Sequence, residues 1–287
     1  MATPEVSFEL FPPASDEAEA QLQQTVVRLA AFAPTFVSVT YGAGGSARVR
    51  SDRIVRALLG KGDPVTAAHI TCADAARAEV DALVREWAEA GLRRVVALRG
   101  DAPGMNGRFR PHPDGYRDAA DLVAGLRRIA DFDIAVAAYP EHHPDSPSAA
   151  ADLDNLKRKL DAGAARAITQ YFFEAETFLR FRDRARRAGI TAPIVPGILP
   201  ITNFAKAQEF SDRCGATIPA WLAARFDGLD DDAETRALVA ATTACELCRE
   251  LLAEGVTELH FYTLNRATLS AAVCRMLGLR PRLMEAA

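Results

Sequence analysis

No stretch of this 287-residue chain holds the ~18 consecutive apolar residues that a bilayer-spanning helix needs, which excludes a helical membrane span. Positive charge is not in excess either. The 34 Lys and Arg stand against 38 Asp and Glu, and the formal net charge of −4 argues against a nucleic-acid or anionic-membrane surface. Cysteine is sparse, with Cys72, Cys214, Cys245, Cys248 and Cys274 scattered along the chain. An odd, dispersed set makes no disulfide framework and suits a reducing cytoplasm. Cys245 and Cys248 form a C-x-x-C, but inside an Ala/Leu-rich helical run and without a second pair, so helix packing is the expectation and a metal site is not. Low-complexity segments, linkers and sequence repeats are absent too, so residues 1–287 are expected to form one domain. The first strand-like run starts within a few residues of Met1, so no signal peptide is expected and the chain is expected in the cytoplasm.

What is present is an ordinary globular composition, 49% apolar and 25% charged. Apolar strand-like runs alternate with helical patterns from end to end. The runs predict strands over 6–10, 36–40, 65–70, 94–99, 133–139, 166–170, 194–199 and 257–263. Helices are predicted near 16–32, 49–60, 74–90, 117–130, 149–162, 175–188 and 203–213, then a longer insertion through 219–254 and a last helix near 267–277. The strands are apolar almost throughout, as parallel strands covered on both faces are. Eight such units predict an α/β fold, a (β/α)8 TIM barrel with an extra helical insertion between strands 7 and 8. Ser15 or Asp16 is placed to cap the first helix, and the run Asp230–Asp232 to cap a later one. Pro196 lies inside the seventh strand and removes a ladder donor, so a bulge or irregularity is expected there.

Val6, Phe8, Leu10 and Phe11 flank Glu9 on both sides, so the pattern does not read as alternation with one solvated face. An ionised carboxylate in apolar surroundings is costly unless it is paired or protonated. Pro12 and Pro13 end the strand, which places Glu9 near its carboxyl end, where parallel barrels keep their chemistry. Other strand ends carry Thr40 and Tyr41, His69, Arg99-Gly100-Asp101, Tyr139 with His143 beyond it, Gln170, and Asn265-Arg266. Each alone has a packing explanation, but these ends converge on one mouth.

Three further features carry less weight. Gly42-x-Gly44-x-x-Ala47 matches a dinucleotide fingerprint formally, but it follows the second strand and eight βα units favour a barrel over an open Rossmann sheet. The Pro- and Gly-rich loop 102–115 is a candidate lid or a plain insertion. At ~100° per residue, Asp152, Asn155 and Lys159 share one stripe of a helix with Arg158 beside it. That stripe suits a ribose and a phosphate, and equally an ion-paired, solvated face.

A resemblance adds to this reading. The runs Val6-Ser7-Phe8-Glu9-Leu10-Phe11-Pro12-Pro13, Phe36-Val37-Ser38-Val39-Thr40-Tyr41-Gly42-Ala43, His69-Ile70-Thr71-Cys72 and Val96-Ala97-Leu98-Arg99-Gly100-Asp101 come first in the chain. Ala137-Ala138-Tyr139-Pro140-Glu141, Asn155-Leu156-Lys157-Arg158-Lys159 and Ala167-Ile168-Thr169-Gln170-Tyr171-Phe172-Phe173 follow. Pro196-Gly197-Ile198-Leu199-Pro200 and Phe261-Tyr262-Thr263-Leu264-Asn265-Arg266-Ala267 complete the set. In this order they resemble bacterial methylenetetrahydrofolate reductase, from about residue 5 to 280.

The resemblance implies a flavin-dependent oxidoreductase. Hydride passes from NADH or NADPH to FAD, and then to 5,10-methylenetetrahydrofolate to give 5-methyltetrahydrofolate, in ping-pong order, feeding methionine synthesis and one-carbon metabolism. It matches Glu9 to a general acid and Asp101 to an acid beside flavin and pterin. Thr40, Tyr41, Ala43, His69, Arg99, Gly100, Asp101, Arg117, Tyr139, His143, Asp152, Asn155, Arg158 and Lys159 match flavin-side positions. Gln170, Lys206, Phe210 and Arg266 match substrate-facing ones, with Lys206 standing where the bacterial pattern has Gln. The loop before Tyr116 and Arg117 differs in length from that pattern. Relatives of this kind form homo-oligomers, and the same is expected here. A flavin-independent reductase on the same barrel and a non-catalytic folate- or flavin-binding barrel are the competing readings.

Overall fold

The computed structural model describes residues 3–41, 45–101 and 109–282, with backbone only at 45–47. Its parallel strands are β1 (Glu5–Leu10), β2 (Phe36–Val39), β3 (Thr66–Thr71), β4 (Arg94–Leu98), β5 (Asp133–Ala138), β6 (Arg166–Thr169), β7 (Ile194–Val195), β8 (Gly197–Ile198) and β9 (Glu258–Tyr262). They form one sheet in the order β7-β6-β5-β4-β3-β2-β1-β9-β8. β7 and β8 are the two halves of the expected seventh strand, split at Pro196. β7 pairs with β6 and β8 pairs with β9, so the split strand closes the barrel. Proline offers no amide here, but its carbonyl accepts from His260 N at 3.0 Å.

Helices follow the strands: α1 (Asp16–Ala30), α2 (Gly45–Leu59), α3 (Arg77–Glu89), α4 (Ala119–Ile129), α5 (Ala149–Asp161), α6 (Ala175–Arg187), α7 (Phe204–Cys214), α8 (Ala220–Phe226), α9 (Ala233–Ala253) and α10 (Ala267–Met276). Two differ from expectation. α2 starts at Gly45, inside the glycine-rich turn, and the insertion is two helices, α8 and α9. Ser15 caps α1 by accepting from Ala18 N, and Asp232 caps α9 by accepting from Thr235 N. Cys245 and Cys248 are buried on α9, as helix packing requires.

Strand side chains alternate between two environments. Outward residues such as Val6, Phe8, Leu10, Val37, Ile70, Val95, Ile134 and Phe261 pack under the helices with Leu22, Val26, Val84, Trp87, Leu122 and Phe178. Each large side chain so buried contributes about 1.5–3 kcal/mol. Inward residues stack in layers. Arg94, Asp133, Arg166 and Glu258 form an ion network at the amino-terminal end, with Arg166 2.8 Å from Glu258 and 3.4 Å from Asp133. Above it Phe36, Ala67, Val96, Ala135, Ile168 and Val195 make an apolar plug. Above the plug the polar residues begin. Among the described residues, no helix is long and apolar enough to cross a membrane.

Candidate active site

The alternation corrects the reading of Glu9. Phe8 and Leu10 face the helix layer, whereas Ser7 and Glu9 face the barrel interior. The pattern hid this because Phe11, also inward, is apolar and sits at the mouth. The true neighbours of Glu9 are two imidazoles. His69 Nε2 lies 3.6 Å and His260 Nε2 3.9 Å from Glu9 Oε2, close enough for charge to matter and too far for a hydrogen bond.

His260 is fixed from behind. Ser7 Oγ and His260 Nδ1 are 2.7 Å apart within the barrel. Burial drives the pKa of His69 down to about 4, against the pull of Glu9, so the ring is neutral near pH 7. Its Nε2 is buried and has no hydrogen-bond partner, an orphan aimed at the cavity. Thr263 Oγ1 donates to Glu9 O at 2.6 Å. Asn265 clamps the end of β1 by accepting from Phe11 N at 3.0 Å and donating to Phe11 O at 2.8 Å.

Glu9, His69 and His260 line a cavity of about 410 Å³ at the carboxyl end of the strands. Glu9, Thr40, Tyr41, His69, Tyr139, Gln170, Lys206 and Phe210 all line it, so eight of the residues expected from sequence converge. The walls between them are largely apolar, from Val96, Leu98, Ile168, Leu199 and Leu264. Tyr41 is set by α2 and α3. Its ring meets Trp87 edge-on at 6.3 Å, and Trp87 Nε1 donates to Asp52 Oδ1 at 2.7 Å.

A second group flanks the mouth without lining the cavity. Arg99 pairs with Asp145 at 2.7 Å, and its guanidinium lies 5.0 Å from the centre of the Phe109 ring. Gly100 has φ +83°, and a Cβ there would approach Ala73 Cβ to 2.7 Å, so only glycine fits this turn. Asp101 is exposed, and its charge acts on both Tyr139 and His143. The His143 ring meets that of Tyr139, which does line the cavity, edge-on at 4.7 Å. The α5 stripe points towards this side. Asp152 accepts from His143 N at 3.0 Å, and Lys159 Nζ donates to Ala137 O at 2.6 Å. Lys159 is buried, and that burial lowers its pKa to about 8, so the stripe is not simply a solvated face. Arg158 bonds Asp118 and Asn155, both at 2.9 Å.

Two expected residues lie elsewhere. Arg117 is exposed and turned to Asp121, 3.7 Å away. Arg266 lines a neighbouring cleft instead of this cavity. Tyr116 is buried, with its hydroxyl on Asp81 at 2.5 Å. Ala43 and residues 102–108, the core of the candidate lid, lie outside the described residues. Sequence reasoning missed His260, Tyr262 and Tyr171. The signal for the first two was the period of two in Glu258-x-His260-x-Tyr262, which puts all three inside the barrel. Tyr262 donates to Thr169 O at 2.7 Å, tying β9 to β6 across the split strand.

The methylenetetrahydrofolate reductase family model matches residues 1–278. The 5,10-methylenetetrahydrofolate reductase of Escherichia coli K12 is 52% identical over 97% of this chain and 92% of its own length. That of Pectobacterium carotovorum is 49% identical over 96% and 91%. Among solved structures, a Clostridium thermocellum protein described as binding two copies of 5-methyl-5,6,7,8-tetrahydrofolic acid superposes with a TM-score of 0.65 at 14% identity, covering 96% of this chain and 94% of that one, which bears on fold alone. On the family model and these near-full-length relatives, the chain belongs to the methylenetetrahydrofolate reductase family.

Proposed function

We propose that this reductase takes its electrons from NADH or NADPH through FAD held at the barrel mouth, and that Glu9 is the proton donor to the folate. The observation that carries the reading is Glu9 itself, an acid at an inward strand position facing an apolar-walled cavity. The methylene bridge of the substrate joins two nitrogens and opens to an iminium only when the departing nitrogen receives a proton. Glu9, which lines the cavity, would give it. The neighbouring His69, kept neutral by burial, does not compete as an acid near pH 7.

The donor set fits a flavin. The orphaned His69 Nε2 calls for a polar ligand atom, and the apolar walls suit a flat ring system. Thr40, Tyr41, His69 and Tyr139 would hold that ring. Arg99, His143, Asp152, Asn155, Arg158 and Lys159 would meet the ribose and phosphates. When bound, FAD supplies the hydride relay between nicotinamide and folate, so that both substrates use one cavity in turn. Gln170 and Phe210, which also line the cavity, would orient whichever substrate is present, and Asp101 at the mouth would face flavin and pterin together.

The test is Glu9→Gln. Flavin binding and nicotinamide oxidation with an artificial acceptor should persist. Folate reduction should fall by about 100-fold or more, the range for a lost general acid. Undiminished folate reduction in the variant would overturn the assignment of Glu9. Wild-type protein that is colourless and takes up no FAD, yet reduces the folate, would overturn the flavin.

A further inference from the structure

His260 lines the cavity, yet the function proposed above gives it no task. It lies on β9, in parallel register with β1, so that Ser7 stands opposite His260 and Glu9 opposite Tyr262. Three contacts hold its ring. Ser7 Oγ is 2.7 Å from Nδ1, the Phe36 ring stacks against it at 5.9 Å, and the Tyr262 ring meets it edge-on at 5.4 Å. The bond to Ser7 decides the tautomer. Ser7 is buried, and among the described residues its hydroxyl has no second partner. If Nδ1–H donated to Ser7, the hydroxyl hydrogen would be left without an acceptor inside the barrel, a costly arrangement. If Ser7 donates to Nδ1, that hydrogen is used and the ring proton sits on Nε2. Nε2 is the nitrogen that faces Glu9, 3.9 Å from Oε2, and His69 Nε2 approaches the same oxygen at 3.6 Å.

We propose that Ser7 and His260 are positioning residues for Glu9: Ser7 fixes His260 as the Nε2–H tautomer, and that N–H holds the Glu9 carboxylate formed when the folate takes its proton. The proposal rests on Glu9 being the proton donor. The proton passes from the Glu9 carboxyl to the departing nitrogen, Glu9 is left ionised, and His260 keeps its own proton throughout. At 3.9 Å the two groups do not hydrogen-bond, but the Glu9 side chain is 22% exposed, and long contacts in an open site tighten when it fills. A donor aimed at the carboxylate favours the state after transfer over the state before it. The titratable neighbours of Glu9 are His69 on β3 and Tyr262 beside His260 on β9, while Ser38 on β2 carries no charge. Burial lowers His69 to about 4 and holds Tyr262 well above its ordinary value, so neither changes charge near neutral pH. Burial also raises Tyr41, Tyr139 and Tyr171, which line the cavity together with Cys214 and Lys206.

Two measurements test this. The first is long-range proton–nitrogen NMR correlation on protein with isotope-labelled histidine, which needs neither flavin nor folate. The chain has five histidines, and the signal of His260 is identified by its loss in His260→Gln. In the wild type that ring should carry its proton on Nε2, and Ser7→Ala should abolish the preference. The second is the pH profile of kcat/KM for the folate, which in the wild type should fall at alkaline pH as Glu9 loses its proton. His260→Leu should lower the plateau by about fivefold and move the fall to higher pH by about half a unit. Ser7→Ala should do both to a smaller degree. His260→Gln, whose amide puts a donor near the Nε2 position, should keep the fall where the wild type has it. A merely structural loss lowers the rate at every pH and leaves the fall in place. A proton on Nδ1 in the wild type, or an unmoved fall in His260→Leu, would overturn the proposal. An alkaline fall that persists in Glu9→Gln would overturn the functional reading beneath it, and would leave the tautomer result intact.

Discussion

At the scale of single residues, the site is an economy of buried polar groups. Ser7, Glu9, His69, His260 and Tyr262 all point into the barrel, where protein largely replaces water. His69 shows the consequence. Its native pKa of about 4 lies well below the ordinary value of 6.5, and the cause is burial. The unfolded chain therefore binds a proton at pH values where the native state does not. Stability contributed by the neutral ring is full above about pH 6.5 and falls as pH drops towards 4, by roughly 3 kcal/mol across that window. Thermal melts of the wild type and of His69→Gln at pH 7.5 and pH 5 check this. The variant, lacking the titrating ring, should lose less stability on acidification. An equal loss in both proteins would mean that other groups carry the acid sensitivity.

At the scale of elements, the seventh stave decides whether the barrel closes. Pro196 breaks it, and Gly197 lets the second half pass close to its neighbours. A Cβ at Gly197 would collide with the Thr169 carbonyl oxygen and come within 2.5 Å of the Tyr262 ring. Gly197→Ala should therefore cost about 3 kcal/mol through overpacking and should also displace Tyr262 from the cavity wall. Chemical denaturation gives the first quantity, and folate KM should rise with it. Unchanged stability would show that the stave has slack. Much of this was legible beforehand. Strand positions follow from runs such as Val95-Val96-Ala97-Leu98, which only a doubly covered strand tolerates. The irregularity at Pro196 follows from its missing amide. The facing of Glu9 was not legible, because Phe11 at the mouth mimics the apolar residues of the outer face. Nor was the position of Arg266, since one turn past β9 the backbone of Leu264 and Asn265 takes positive φ values, +51° and +54°, and the chain leaves the cavity.

At the scale of the whole molecule, the two ends of the barrel have different tasks. The carboxyl ends of the strands gather Glu9, His69, Tyr139 and Gln170 around the cavity. Net charge is −4, so the overall field does not by itself attract acidic ligands. The amino-terminal end carries the network of Arg94, Asp133, Arg166 and Glu258, separated from the cavity by the apolar plug. Arg166 is its hub, and its side chain is 20% exposed. Replacing Arg166 by Met would leave Glu258 without its 2.8 Å partner and Asp133 with only Arg94 at 3.5 Å. Removing one member of a largely buried ion network leaves charge uncompensated, so a loss of about 2 kcal/mol is expected, or roughly 4–8 °C in melting temperature. Because the variant leaves the strand ends above the plug unchanged, kcat/KM for the folate should stay within about twofold of wild type, as expected where only the stability face of a barrel changes. Calorimetry and turnover on the same preparation test both parts. A variant that melts normally but turns over poorly would show that the plug transmits strain, and the division of labour between the two ends would have to be abandoned.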